Sequence, residues 1–119
     1  MDSPKASIRD SKIIMVISQP ADANVMINRE ISTVNYLMTA FPGHVFLCRG
    51  SFLLIELGHP RPASQWAEFY LALLNGCDAL YCSDDNRNHP MADWALENEM
   101  PIFTDYFDLD LFLAIPVKS

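Results

Sequence analysis

The stretch from Cys77 to Asp85, reading CDALYCSDD, constrains this chain more than any other. Asp78 to Cys82 is an apolar strand that runs straight into carboxylates at Asp84 and Asp85, an amide at Asn88 and an imidazole at His89. In an open α/β sheet, ligands bind beyond the carboxyl ends of the strands. Polar groups gathered there are candidates for ligand contact as well as for solvation.

The rest of the pattern alternates in the same way. Lys12 to Ser18 (KIIMVIS) is a continuous β-branched apolar run, the mark of a strand buried on both faces. Gln19-Pro20 stops it, and Asp22 can cap a helix that runs to Ala40. Ile27, Ile31, Val34, Met38 and Phe41 have helical spacing and define its expected buried face. Pro42-Gly43 ends that helix, and His44 to Cys48 forms the next strand, completing a βαβ unit. Arg49 to Pro62 is broken by glycines and prolines and reads as a long, partly ordered connection that can fold over a site.

Ala63 to Asn75 is the clearest helix, with Trp66, Phe69, Tyr70, Leu73 and Leu74 on one stripe and Gly76 as its stop. Pro90 starts another helix, capped by Asn88 or His89 and running to about Glu99. Met100 to Thr104 is a strand, and Asp108 to Leu113 is a short helix or strand. The expected architecture is a three-layer flavodoxin- or Rossmann-like α/β domain, with an open, mostly parallel sheet of four to five strands. The strand after Gly76 should lie beside the first, where the strand order switches. Residues 1–11 read as a flexible tail and 12–119 as a single domain.

Composition narrows the function. The net charge of −7 repels a phosphate backbone, so nucleic acid is not an expected partner. No apolar run reaches the roughly 18 residues of a membrane span, and the N-terminal residues lack a signal-peptide core. Cys48, Cys77 and Cys82 sit in or beside apolar runs, as buried thiols of a reducing cytoplasm do. They form no Cys-x-x-Cys pair, and His44, His59 and His89 are scattered, so no metal site is expected.

In their order and spacing these pieces resemble the nucleoside 2-deoxyribosyltransferase superfamily, especially its small uncharacterised phage and bacterial members. The features that carry the resemblance are the Ser18-Gln19-Pro20 turn, Cys77-Asp78-Ala79-Leu80-Tyr81, the polar Asp84 to His89 loop, Ala95, and Pro101-Ile102. Together they span roughly residues 12 to 107. The resemblance implies a nucleoside- or nucleotide-derived small-molecule ligand, no cofactor, and assembly as a homo-oligomer, dimer or larger. It also implies a glutamate nucleophile at the start of the last-but-one helix, forming a covalent sugar ester. Here that position holds Met91, while Asp85 matches the family's earlier aspartate. Another family aspartate falls on Tyr70, and Gln19 stands where glycine is usual. Asp93 is acidic as in some relatives, but two residues along a helix turn a side chain by about 200°.

Each candidate has two readings. Asp84 and Asp85 orient a ribose hydroxyl, or form an ordinary turn. His89 protonates a leaving base, or caps a helix. Ser18 and Gln19 touch a ligand, or simply end a strand. Trp66, Phe69 and Tyr70 stack a nucleobase, or fill the core or a subunit interface. Glu68 reads as a solvated helix residue, and Asp105 to Asp110 as a surface turn. With Asn88 and Met91 added to the ligand set, three functions fit: a nucleoside or nucleotide binder that has lost the nucleophile; an active N-glycosidase or deoxyribosyltransferase using Asp85 or Asp93; or a non-catalytic assembly module.

Overall fold

Why the chain layers as it does follows from its central strand. In the computed structural model, which describes residues 11–18, 23–82 and 89–114, β1 (Ile13–Ile17) is paired on both sides. Its neighbours are β2 (Val45–Cys48) and β3 (Ala79–Cys82), and β4 (Ile102–Phe103) follows β3 in the order β2-β1-β3-β4. All the pairings are parallel. The expected open parallel sheet is therefore present, with four strands among the described residues. β3 lies beside β1, so the strand order reverses between them.

Alternate residues of β1 feed two separate cores. Met15 and Ile17 pack with Leu80 and Cys82 beneath α3 (Ala63–Asn75) and α4 (Pro90–Glu97). Ile14 and Val16 pack with Phe46, Cys48, Ala79 and Tyr81 beneath α1 (Ala23–Ala40) and α5 (Tyr106–Ala114). Helices thus cover both faces, and the side they occupy changes where the strand order reverses. A constant crossover hand requires that change.

The amino ends of the strands are locked by side chains. Asp78 Oδ2 accepts from Ile13 N at 2.7 Å, while Asp78 N donates to Ile13 O at 2.7 Å. His44 Nδ1 accepts from Lys12 N at 3.0 Å. Asp78 sits at the opposite end of the sheet from any ligand crevice, and its work is to close the β1–β3 ladder.

Three elements depart from the sequence reading. The buried face of α1 is built on Glu30, Val34 and Leu37, with Phe41 packed beside them; Ile31 is 37% exposed and Met38 53%. Apolar residues flank this stripe on both sides, so spacing alone set the helix about one residue out of phase. The connection from Arg49 is more ordered than expected. It forms a 3-10 turn (Arg49–Phe52) and then α2 (Leu53–Gly58), tied together by an Arg49–Glu56 ion pair. The acidic Asp105 to Asp110 segment is helical: Asp105 Oδ1 accepts from Phe107 N at 2.8 Å, and Leu109 is fully buried.

The aromatic stripe of α3 packs into the core, and Tyr70 also reaches the crevice beyond the strand ends. Trp66 and Tyr70 are buried, and Phe69 sits edge-on to both. Cys48, Cys77 and Cys82 are all buried and unbridged, as expected, and burial raises the Cys77 thiol to about 11. Such a thiol is inert at neutral pH. Helix α4 ends in a Schellman motif, with Met100 N donating to Ala95 O at 2.8 Å and Glu99 N to Leu96 O at 3.3 Å. Glu99 holds the left-handed position at φ 58°, where a side chain is strained. Glu99→Gly should stabilise the fold by about 1 kcal/mol in urea denaturation, since glycine adopts that conformation without a Cβ clash.

Candidate functional site

At the carboxyl ends of β1 and β2 lies a cavity of about 240 Å³, bounded by α1, α3 and the start of α4. Its polar wall is Glu30, Arg49, Tyr70 and His89, and Met91, Ile17 and Leu71 are among its apolar wall residues. Each polar group arrives for a local reason. β1 ends at Ile17, and the next residue, Ser18, donates its hydroxyl to Glu30 Oε2 at 3.1 Å. Gly50 N, in the turn after β2, donates to Glu30 Oε1 at 3.1 Å. One carboxylate thus ties together the end of β1, helix α1 and the turn that follows β2.

Glu30 is 2% exposed, and burial raises its carboxyl above the usual range. The Gly50 amide, the Ser18 hydroxyl and the Arg49 charge oppose that rise without cancelling it. Burial favours the neutral carboxyl because a charge loses its hydration there.

Arg49 is held from two sides. Its Nε donates to Glu56 Oε2 at 3.2 Å and its Nη2 to Glu56 Oε1 at 3.3 Å, a bidentate fork. Its guanidinium also lies 5.4 Å from the centre of the Tyr70 ring. The Tyr70 hydroxyl donates to the same Glu56 carboxylate. Burial, then the bond to Glu56, raises the Tyr70 hydroxyl. Burial works to raise Glu56 too, but its bonds to Arg49 and Tyr70 prevail and lower it.

His89 is the N-cap of α4, as the sequence suggested: its Nδ1 accepts from Met91 N at 3.1 Å. In the neutral ring the proton must then sit on Nε2. Burial lowers the His89 pKa, the Arg49 charge lowers it further, and Asp93 pulls the other way.

The sequence-predicted residues divide as follows. His89 and Met91 line the cavity, and Met91 is 5% exposed. Ser18 is off the cavity wall but holds Glu30, which is on it. Asp93 is exposed on α4 and does not line the cavity. Gln19, Asp84, Asp85 and Asn88 lie outside the described residues, as does Asp22. Among the described residues, no cluster of His, Cys, Asp or Glu could hold a metal ion, and no helix is long and apolar enough to cross a membrane. Sequence reasoning missed Glu30 and Arg49. The signal for Glu30 was present: it is a charge in phase with Val34, Leu37 and Phe41, on the face that should have been apolar throughout.

Comparisons with protein-family models, with curated proteins and with solved structures find no match to this chain. The resemblance to deoxyribosyltransferases therefore rests on the residues quoted from the sequence.

Because His89 is depressed below 6.5 in the fold, its neutral form contributes stability above that pH, which is lost as pH falls through the folded value. His89→Asn keeps a capping acceptor and removes the titration. Relative to the wild type, the variant should gain stability between about pH 7.5 and pH 5.5. Paired urea titrations at the two pH values measure the change.

Proposed function

We propose that this domain binds a single nucleoside- or nucleotide-like molecule in the Glu30–His89 cavity and does not cleave it. One observation supports the reading. Met91 lies on the cavity wall, and the resemblance to deoxyribosyltransferases assigns their nucleophile to that position. A thioether cannot form the sugar ester on which that chemistry depends. The pocket survives as a shape with its reactive carboxylate replaced, which a stable scaffold tolerates.

The dimensions support a small ligand. A volume of about 240 Å³ falls below the roughly 300–1,000 Å³ typical of drug-sized sites, so one nucleoside unit suits it better than a dinucleotide. Met91, Ile17 and Leu71 offer apolar surface for a base or sugar face, and Glu30 and His89 offer an acceptor and a donor.

A thermal-shift panel of the four deoxynucleosides and their 5′-monophosphates tests this, with chromatography for free base on the same samples. At least one compound should stabilise the fold, by about 2.7 kcal/mol at a hundredfold excess over its Kd. No base should be released. Base release that disappears in Asp85→Asn would establish the active enzyme instead, and a flat panel would favour an assembly module.

A further inference from the structure

We propose that Glu30 reads an N–H donor on the base of an uncharged ligand, so that the cavity takes a nucleoside in preference to its phosphate ester. The inference rests on the nucleoside-binding reading and narrows it. It begins with the acceptor capacity of Glu30. An ionised carboxylate offers about four acceptor sites. The Ser18 hydroxyl and the Gly50 amide take one each, and the Ser18 amide contributes a further contact. Acceptor capacity therefore remains on a group that is almost wholly buried and forms part of the cavity wall.

The charge balance points the same way. Arg49 is the only cation on the cavity wall among the described residues. It is paired with Glu56 through a bidentate bond, and its guanidinium carbon lies 5.4 Å from the centre of the Tyr70 ring. Arg49 offsets the burial of Glu30 only in part, so Glu30 is left as a carboxyl without a full countercharge. A phosphate placed in so small a space would add negative charge beside it, at a low effective dielectric that magnifies the repulsion. An N–H donor does the reverse, since it supplies a partner to a desolvated acceptor. The raised Glu30 pKa has the same origin: the protein alone does not fully compensate this group. Around it the wall is mainly apolar, with Met26, Ala67 and Pro90 joining Ile17, Leu71 and Met91, and such a surface suits the faces of a base.

Titration calorimetry on the full chain tests the proposal. The probes are deoxyguanosine, deoxyadenosine, deoxycytidine and thymidine, each paired with its 5′-monophosphate. For whichever base binds, an analogue methylated at its N–H donors is added. The expected result is a nucleoside that binds at least about tenfold more tightly than its monophosphate. Methylation of the base and the Glu30→Gln substitution should each weaken binding by a similar factor. Circular dichroism checks that the variant is folded, and the two wild-type comparisons need no variant at all. A monophosphate that binds as tightly as its nucleoside, or tighter, overturns the inference but leaves the nucleotide-binding reading intact. So does a methylated base that binds undiminished. If none of the eight compounds binds, the nucleoside-binding reading fails and this inference falls with it.

Discussion

Everything in this fold is arranged around a five-residue strand that has no free side. β1 is hydrogen-bonded along both edges and covered on both faces, with Ile14 and Met15 fully buried. Its odd and even residues belong to different cores, so a one-residue slip in register would exchange the two side-chain sets. The sheet separates the two cores, and β1 contributes side chains to both. The cavity depends on the same strand, because it opens where β1 and β2 end and the helix cover changes sides.

The site is built from one carboxylate that ties backbone segments together and one that neutralises a cation. Glu30 bridges strand end, helix and turn through two hydrogen bonds, and Glu56 locks Arg49 to Tyr70. Hydrogen bonds to charged groups contribute about 1.5–3 kcal/mol each, and a buried acceptor stripped of its donors costs a comparable amount. The two carboxylates therefore help to hold the shape of the crevice, Glu30 from its buried position more than the partly exposed Glu56 pair. They also hold two electrostatic situations around one crevice: one acid lowered by a guanidinium, the other raised by burial.

Much of the fold was legible in the sequence because its signals were local. Apolar runs at residues 12–18 and 78–82, the stripe at Trp66 to Leu74, and Pro90 beside a capping His89 each fix an element from neighbouring residues alone. The phase of α1 was less legible, since Ile31 and Met38 are apolar yet face outward. The order in residues 49–58 was hidden as well, because an ion pair across seven positions holds it and hydropathy carries no trace of that pairing. The site was readable in part. Met91 and His89 follow from their place after a strand. Arg49 becomes a site residue only once β2 is set beside β1, and Glu30 only once the true face of α1 is known. The first is a fact of tertiary packing, whereas the second left a trace in the sequence as a lone charge in phase with Val34 and Leu37.

The clamp between Asp78 and the start of β1 has a consequence for the order of assembly. The two partners are 65 positions apart in the chain. The βαβ unit of β1, α1 and β2 precedes β3 in the chain, so without β3 one edge of β1 is bare. That edge stays open until the chain has been made through Cys82. An exposed apolar strand edge is a template for foreign pairing. A free fragment that ends between residues 49 and 77 therefore keeps that edge bare, and the finished chain does not.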